Sequence, residues 1–222
     1  MKDNRLGGIA LILGAISGVI TLSLHPTGGA HHVTPAQFEK LIALVIGVHV
    51  LAITGLPFSF LGALALSRRI DSPNRIATMA VVIYGFGLVA LMAAATMSGL
   101  VTPEILRQVV ARTAASDQWR TLMDYNHAIN QGFAQIGAVG SCVAIVLWSG
   151  LILKHRVLPI GLGIYGMLIG VVIIISMFAG ELKLDVHGFG LITFTQAIWF
   201  IIAGICLWRI NTPQIQATNI SP

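Results

Sequence analysis

The sequence predicts an all-α, polytopic membrane bundle of six transmembrane helices, a single domain over residues 1–222. Two observations predict it. Of 222 residues, 56% are hydrophobic and only 9% are charged, against roughly 25% charged in an ordinary soluble domain. The apolar residues also gather into six continuous blocks free of Asp, Glu, Lys and Arg. Each block reaches or approaches the roughly 20 residues that cross hydrocarbon as a helix. A membrane β-barrel would show short alternating segments instead. The partner this composition calls for is the lipid bilayer.

The first block, Leu6–Leu24, stops at His25-Pro26, because the residue before a proline resists the helical conformation. Its short basic start lacks a small-residue cleavage site, so it reads as a retained first helix. The second block is Leu41–Leu66. Thr34-Pro35-Ala36-Gln37 supplies an N-cap, a proline at the first helical position and a capping-box glutamine, which starts this helix near Pro35. Pro57 lies inside it and should kink it. Ser72-Pro73 gives the third block, Ile76–Leu100, the same kind of start.

The connection from Val101 to Gly132 is the longest. It opens with Thr102-Pro103-Glu104, an N-cap followed by an acidic first turn. Ile105, Leu106, Val109 and Val110 then share a face, which predicts a short amphipathic helix on the outer surface after helix three. The remaining blocks are Phe133–Leu153, Ile160–Gly180 and Leu191–Trp208. Short connections on the inner side favour antiparallel hairpins.

Orientation follows from the basic residues. With the N-terminus inside, Lys2, Arg5, Arg68, Arg69, Arg75, Lys154, Arg156 and Arg209 are inner, against Lys40, Arg107, Arg112, Arg120 and Lys183 outside: eight against five. Both termini are therefore expected in the cytoplasm. The net charge of +5 is a topology signal and no sign of nucleic-acid binding. The GxGxxG match at Gly161–Gly166 opens a membrane helix with no preceding strand, so no nucleotide site is expected. It is packing glycine. Gly14-xxx-Gly18 and Gly166-xxx-Gly170 predict close helix contacts, and glycine-rich faces offer a route to a homo-oligomer. Cys142 and Cys206 lie deep in separate apolar helices and read as small buried hydrophobes.

Six of the seven histidines, His25, His31, His32, His49, His127 and His187, fall on the outer side; only His155 is inner. Histidine is the commonest metal ligand and titrates near neutral pH, so haem or a transition metal is the cofactor class to consider. His49 sits within the membrane, where ionisable residues face the bundle interior or a cavity. It joins His127, His187 and His25 as candidate cofactor-binding residues. Positions 127, 131 and 135 are spaced by four, which puts His127, Gln131 and Gln135 on one helical face, with Asn130 beside them. His187 leads toward Thr193, Thr195 and Gln196.

Asp124 and Asp185 stand just before His127 and His187, and the four form a candidate metal set. No HExxH or Cys/His zinc spacing accompanies them. Simpler readings are a solvated polar loop for His31-His32, carbonyl capping for His25, and an interhelical hydrogen bond for His49. Ile83-Tyr84-Gly85 with Gly99, and Ile164-Tyr165-Gly166 with Gly180, share one spacing. If that is an internal repeat, His127 and His187 hold equivalent places.

The motifs LHPTG after helix one, LSRR after helix two, LW closing helix four and LDVHGFG before QAIWF resemble those of small, uncharacterised six-helix bacterial inner-membrane proteins. That resemblance implies location in a bacterial inner membrane and no activity. In outline the architecture is also similar to cytochrome b561-type proteins, which hold two haems between membrane histidines. The inner half here has no such pair, which limits the implication to one outer haem. The leading expectation is a non-enzymatic membrane protein whose outward-facing polar, His-bearing pocket binds a small ligand or metal. A haem- or metal-dependent redox enzyme and a small oligomeric transporter are the alternatives.

Overall fold

A computed structural model describes residues 2–26, 34–70, 75–111 and 117–209. Its helices are α1 (Lys2–Ser23), α2 (Pro35–Ile70), α3 (Arg75–Thr96), α4 (Thr102–Ala111), α5 (Asp117–His155), α6 (Ile160–Phe178) and α7 (Val186–Arg209). A π-helical turn, Met97–Val101, joins α3 to α4. Six helices are long and apolar enough to cross a membrane, and no strand occurs among the described residues. The chain is an all-α, multi-pass membrane protein.

The local chemistry explains most boundaries. At the start of α2, the Thr34 amide donates to Gln37 Oε1 at 2.8 Å and the Gln37 amide to Thr34 Oγ1 at 3.3 Å. This reciprocal capping box satisfies two donors that the helix itself cannot. Pro57 is carried inside α2. The Ser72-Pro73 start lies outside the described residues.

Two boundaries differ from the sequence expectation. Thr102 is not an N-cap: its backbone is helical (φ −55, ψ −48), and its amide and its hydroxyl both donate to the Met97 carbonyl, the hydroxyl at 3.0 Å. Helix three does not stop, because the wide turn carries it into α4. The amphipathic helix exists as expected, with Ile105 buried and Arg107 exposed. The connection between α4 and α5 is also shorter than expected. Helix α5 begins at Asp117, well ahead of the apolar block, so His127 is carried on a helix.

The spanning helices form a ring in chain order. α1 packs on α2 and α7, α2 on α3, α3 on α5 and α5 on α6, and a lighter α6–α7 contact closes it. The carboxyl half of α1 and the amino half of α2 share one end of the bundle with His25 and His127, here termed the histidine end. Arg68, Arg69, Arg75, Lys154 and Arg209 mark the opposite, arginine end.

Small residues set the α1–α2 distance. A Cβ on Gly14 would collide with Ser59, one on Gly55 with Ser17, and one on Gly62 with Leu11. Gly166 likewise faces Ser149 and Trp199, and Gly170 faces Val146. The predicted glycine contacts therefore lie largely within the chain. A homo-oligomer built through glycines would have to use positions with open space, such as Gly47 and Gly161.

The core sits toward the arginine end. Trp148 and Trp199 are fully buried and stack at 6.0 Å, with Tyr84 and Phe200 edge-on or tilted around them at 5.2 to 5.4 Å. Each indole N–H is satisfied: Trp148 Nε1 donates to Ser67 Oγ at 2.7 Å, and Trp199 Nε1 to the Leu162 carbonyl at 3.1 Å. These bonds tie α5 to α2 and α7 to α6. Leu13, Phe86, Ile136, Leu168 and Phe178 are exposed instead. Their wide apolar belt exceeds what a water-soluble monomer exposes and fits contact with lipid.

Candidate functional site

The ring encloses a cavity of about 480 Å³ in its histidine half. That size lies within the roughly 300–1,000 Å³ of small-molecule sites. Five spanning helices line it: α1, α2, α3, α5 and α7. Its wall is mainly apolar, with Ala52, Leu56, Leu88, Leu91 and Ala134 among the lining residues. Tyr84 and Phe200, the upper face of the aromatic cluster, form its base. Polar side chains line it at both levels: Thr21, His25, His49, Ser98, His127, Asn130, Gln131 and Asp185 toward the mouth, and Ser59, Ser141 and Gln196 nearer the base.

His49 is the centre of the polar part, 5% exposed. Its Nδ1 lies 2.7 Å from the Val45 carbonyl, and its ring meets that of His25 edge-on at 5.2 Å. His25 Nδ1 lies 3.1 Å from the Pro26 carbonyl. A carbonyl can only accept, so Nδ1 carries the proton in both rings. Both Nε2 atoms have no hydrogen-bond partner among the described residues. Opposite, the π turn presents Gly99, where a Cβ would strike His49 Cβ and Cγ. π turns recur at functional sites because they re-aim a helix face. Here one brings bare backbone against the imidazole.

The hydroxyls on the α1 wall are committed as donors. Thr21 Oγ1 donates to the Val48 carbonyl at 3.0 Å, and Ser17 Oγ to the Gly14 carbonyl at 2.7 Å. On α5, Asn126 is buried and its Nδ2 donates to Thr102 Oγ1 at 2.8 Å, while its Oδ1 has no partner.

Of the residues expected from sequence, the structure gathers His25, His49, His127 and Asp185 around one cavity. His187 is separate. It sits in the first turn of α7, exposed, and lines a smaller neighbouring pocket of about 240 Å³ with Val19, Leu22 and Phe194. Asp124 is exposed on α5 and lines neither space. Asp185 caps α7, its Oδ1 accepting the Gly188 amide at 2.8 Å, which accounts for its place two residues before His187. Among the described residues no three His, Cys, Asp or Glu side chains converge on a point that could hold a metal, so His127, His187, Asp124 and Asp185 are not brought together. His31 and His32 lie outside the described residues.

Gln131 lines the cavity but Gln135 is exposed and does not. Each step of four residues advances about 40° beyond a full helical turn, so the stripe has rotated away by its third member. The actual lining on α5 runs His127, Asn130, Gln131, Ala134 and Ser141. The suggested repeat pairs also differ in environment. Tyr84 is buried under the cavity, whereas Tyr165 donates its hydroxyl to the Thr195 carbonyl at 3.0 Å. Gly99 packs on His49, whereas Gly180 takes φ +78 in a turn. Thr21 and Ser98 went unnoticed in the sequence: a lone hydroxyl in an apolar helix carries no spacing signal.

Comparison with models of protein families, with curated proteins and with solved structures finds no match to this chain. Fold and cavity define a class: a multi-pass membrane protein with an amphipathic, one-ended cavity between its helices.

Proposed function

We propose that this chain belongs to a bacterial inner membrane, with both termini in the cytoplasm, and binds a small amphipathic molecule from the outer side without transforming it. The orientation rests on the eight-to-five distribution of Lys and Arg, under which the histidine end faces outward. One observation carries the binding function: a cavity of about 480 Å³ with a mainly apolar wall, its histidines and Asp185 gathered at the mouth, closed at its base by the aromatic cluster. An apolar body with a polar end fits that lining. A transporter would need a second opening at the arginine end, where Trp148 and Trp199 fill the bundle.

Ala95 lines this cavity from α3. Ala95→Phe is expected to fill it and lower the occupancy of co-purifying small molecules about tenfold or more, with thermal stability retained. Native mass spectrometry of the protein released from nanodiscs measures the occupancy. Equal occupancy in the filled variant and the parent would sink the proposal.

The redox alternative draws on the outer-face histidines, of which His25 and His49 are a pair in ring contact. Their rings touch edge-on at 5.2 Å, which leaves no room for a macrocycle between them, so a haem held by this pair does not fit. Purified protein is expected to show no Soret band; a band that disappears in His49→Ala would reinstate the redox reading.

A further inference from the structure

We infer that the cavity selects the charge of its ligand: it takes an amphiphile with an ammonium head group and rejects one with a carboxylate. The inference rests on the binding role proposed above and adds the ligand's chemical class. It comes from counting which hydrogen-bonding atoms at the head-group level are still unused. The protons of Thr21, Ser17, His25 and His49 all go to backbone carbonyls. With neutral imidazoles, what these four side chains have left to offer a ligand is lone pairs, on two hydroxyl oxygens and two Nε2 nitrogens.

The charges agree. Asp185 is an acidic side chain lining the mouth, and no Lys or Arg lines the cavity among the described residues. Ser98, His127, Asn130 and Gln131 also line the mouth, and each can donate as well as accept, so none of them favours an anion over a cation. An ammonium has three donors and no acceptor, the complement of this set. A carboxylate has acceptors only, and would bring lone pairs against lone pairs beside Asp185. Hydrogen bonds to a charged group are also the stronger kind in a site shielded from water. Among the described residues a bare metal ion would find no three ligating side chains together, and it would leave most of the cavity unfilled.

The test uses three probes with the same alkyl chain: decylammonium, decanol and decanoate, titrated against the full chain in phosphatidylcholine nanodiscs by native mass spectrometry. Decylammonium is expected to bind about tenfold or more tighter than decanoate, with decanol between them. Replacing both rings, His25→Leu with His49→Leu, is expected to shrink the preference of ammonium over carboxylate while decanol still binds. His49→Gln alone restores an acceptor and is expected to recover part of that preference, which separates head-group recognition from damaged folding. Decanoate binding as tightly as decylammonium would overturn the head-group inference and leave the binding role standing. A failure of all three probes to bind would overturn the binding role, and this inference with it.

Discussion

At the scale of single residues, Gly99 and His49 act as one unit. The π turn exists where the imidazole needs space, and any side chain at 99 would press on the ring. Gly99→Ala is expected to destabilise the protein by about 1–3 kcal/mol through overpacking and to weaken ligand binding as well. Gly161→Ala, where nothing lies within 4 Å, is expected to leave both unchanged. Thermal unfolding in detergent distinguishes them, and equal shifts in the two variants would contradict the contact. Trp148→Phe removes the donor to Ser67 Oγ but leaves Ser67 still donating to the Ala77 carbonyl at 3.3 Å. The hydrogen-bond part of that loss is expected to be about 1 kcal/mol, because no new orphan donor is created. His49 was legible in the sequence from its depth alone. His25 was a candidate as well, but its contact with His49 was not legible, since only the folded α1 and α2 bring a helix end to the same height.

At the scale of elements, the helices divide into those fixed by packing and those fixed by their ends. The α1–α2 pair depends on Gly14, Gly55 and Gly62, each against a side chain of the other helix. Gly62→Leu is expected to separate the two helices, seen as loss of monodisperse protein on size exclusion. Helix α4 is held more lightly. Its ion pair from Arg107 to Glu39, 3.1 Å long, has side chains 42% and 58% exposed. Exposed pairs contribute about 0–1 kcal/mol, so Arg107→Ala is expected to move the unfolding temperature little. The apolar blocks made the existence of every spanning helix readable, because bilayer thickness fixes their length. The beginning of α5 was not readable: residues 117–132 are polar and mixed, and they become helical by extending a helix already nucleated in the membrane. The same extension carried His127 to the cavity and left Asp124 facing outward.

At the scale of the whole molecule, the ring order follows the chain, so short connections suffice to build it. With the proposed orientation, a cysteine placed at Gln118 is expected to react with an impermeant maleimide added to intact cells, and one at His155 only after lysis. The reverse pattern would invert the topology. Cys142, fully buried, is expected to stay unlabelled in both cases. What no sequence pattern revealed is that five helices leave a gap on one half of their axis and four aromatic rings close the other.

That aromatic closure has a thermodynamic consequence. A site reached from one face equilibrates with the solution on that face only, so its occupancy tracks the ligand's activity there and is independent of any gradient across the bilayer. Under the proposed binding role, a bundle built this way reads a single compartment. Phe200 lines the cavity and meets Trp199 at 5.2 Å, which places an intrinsic fluorophore one ring away from the reading.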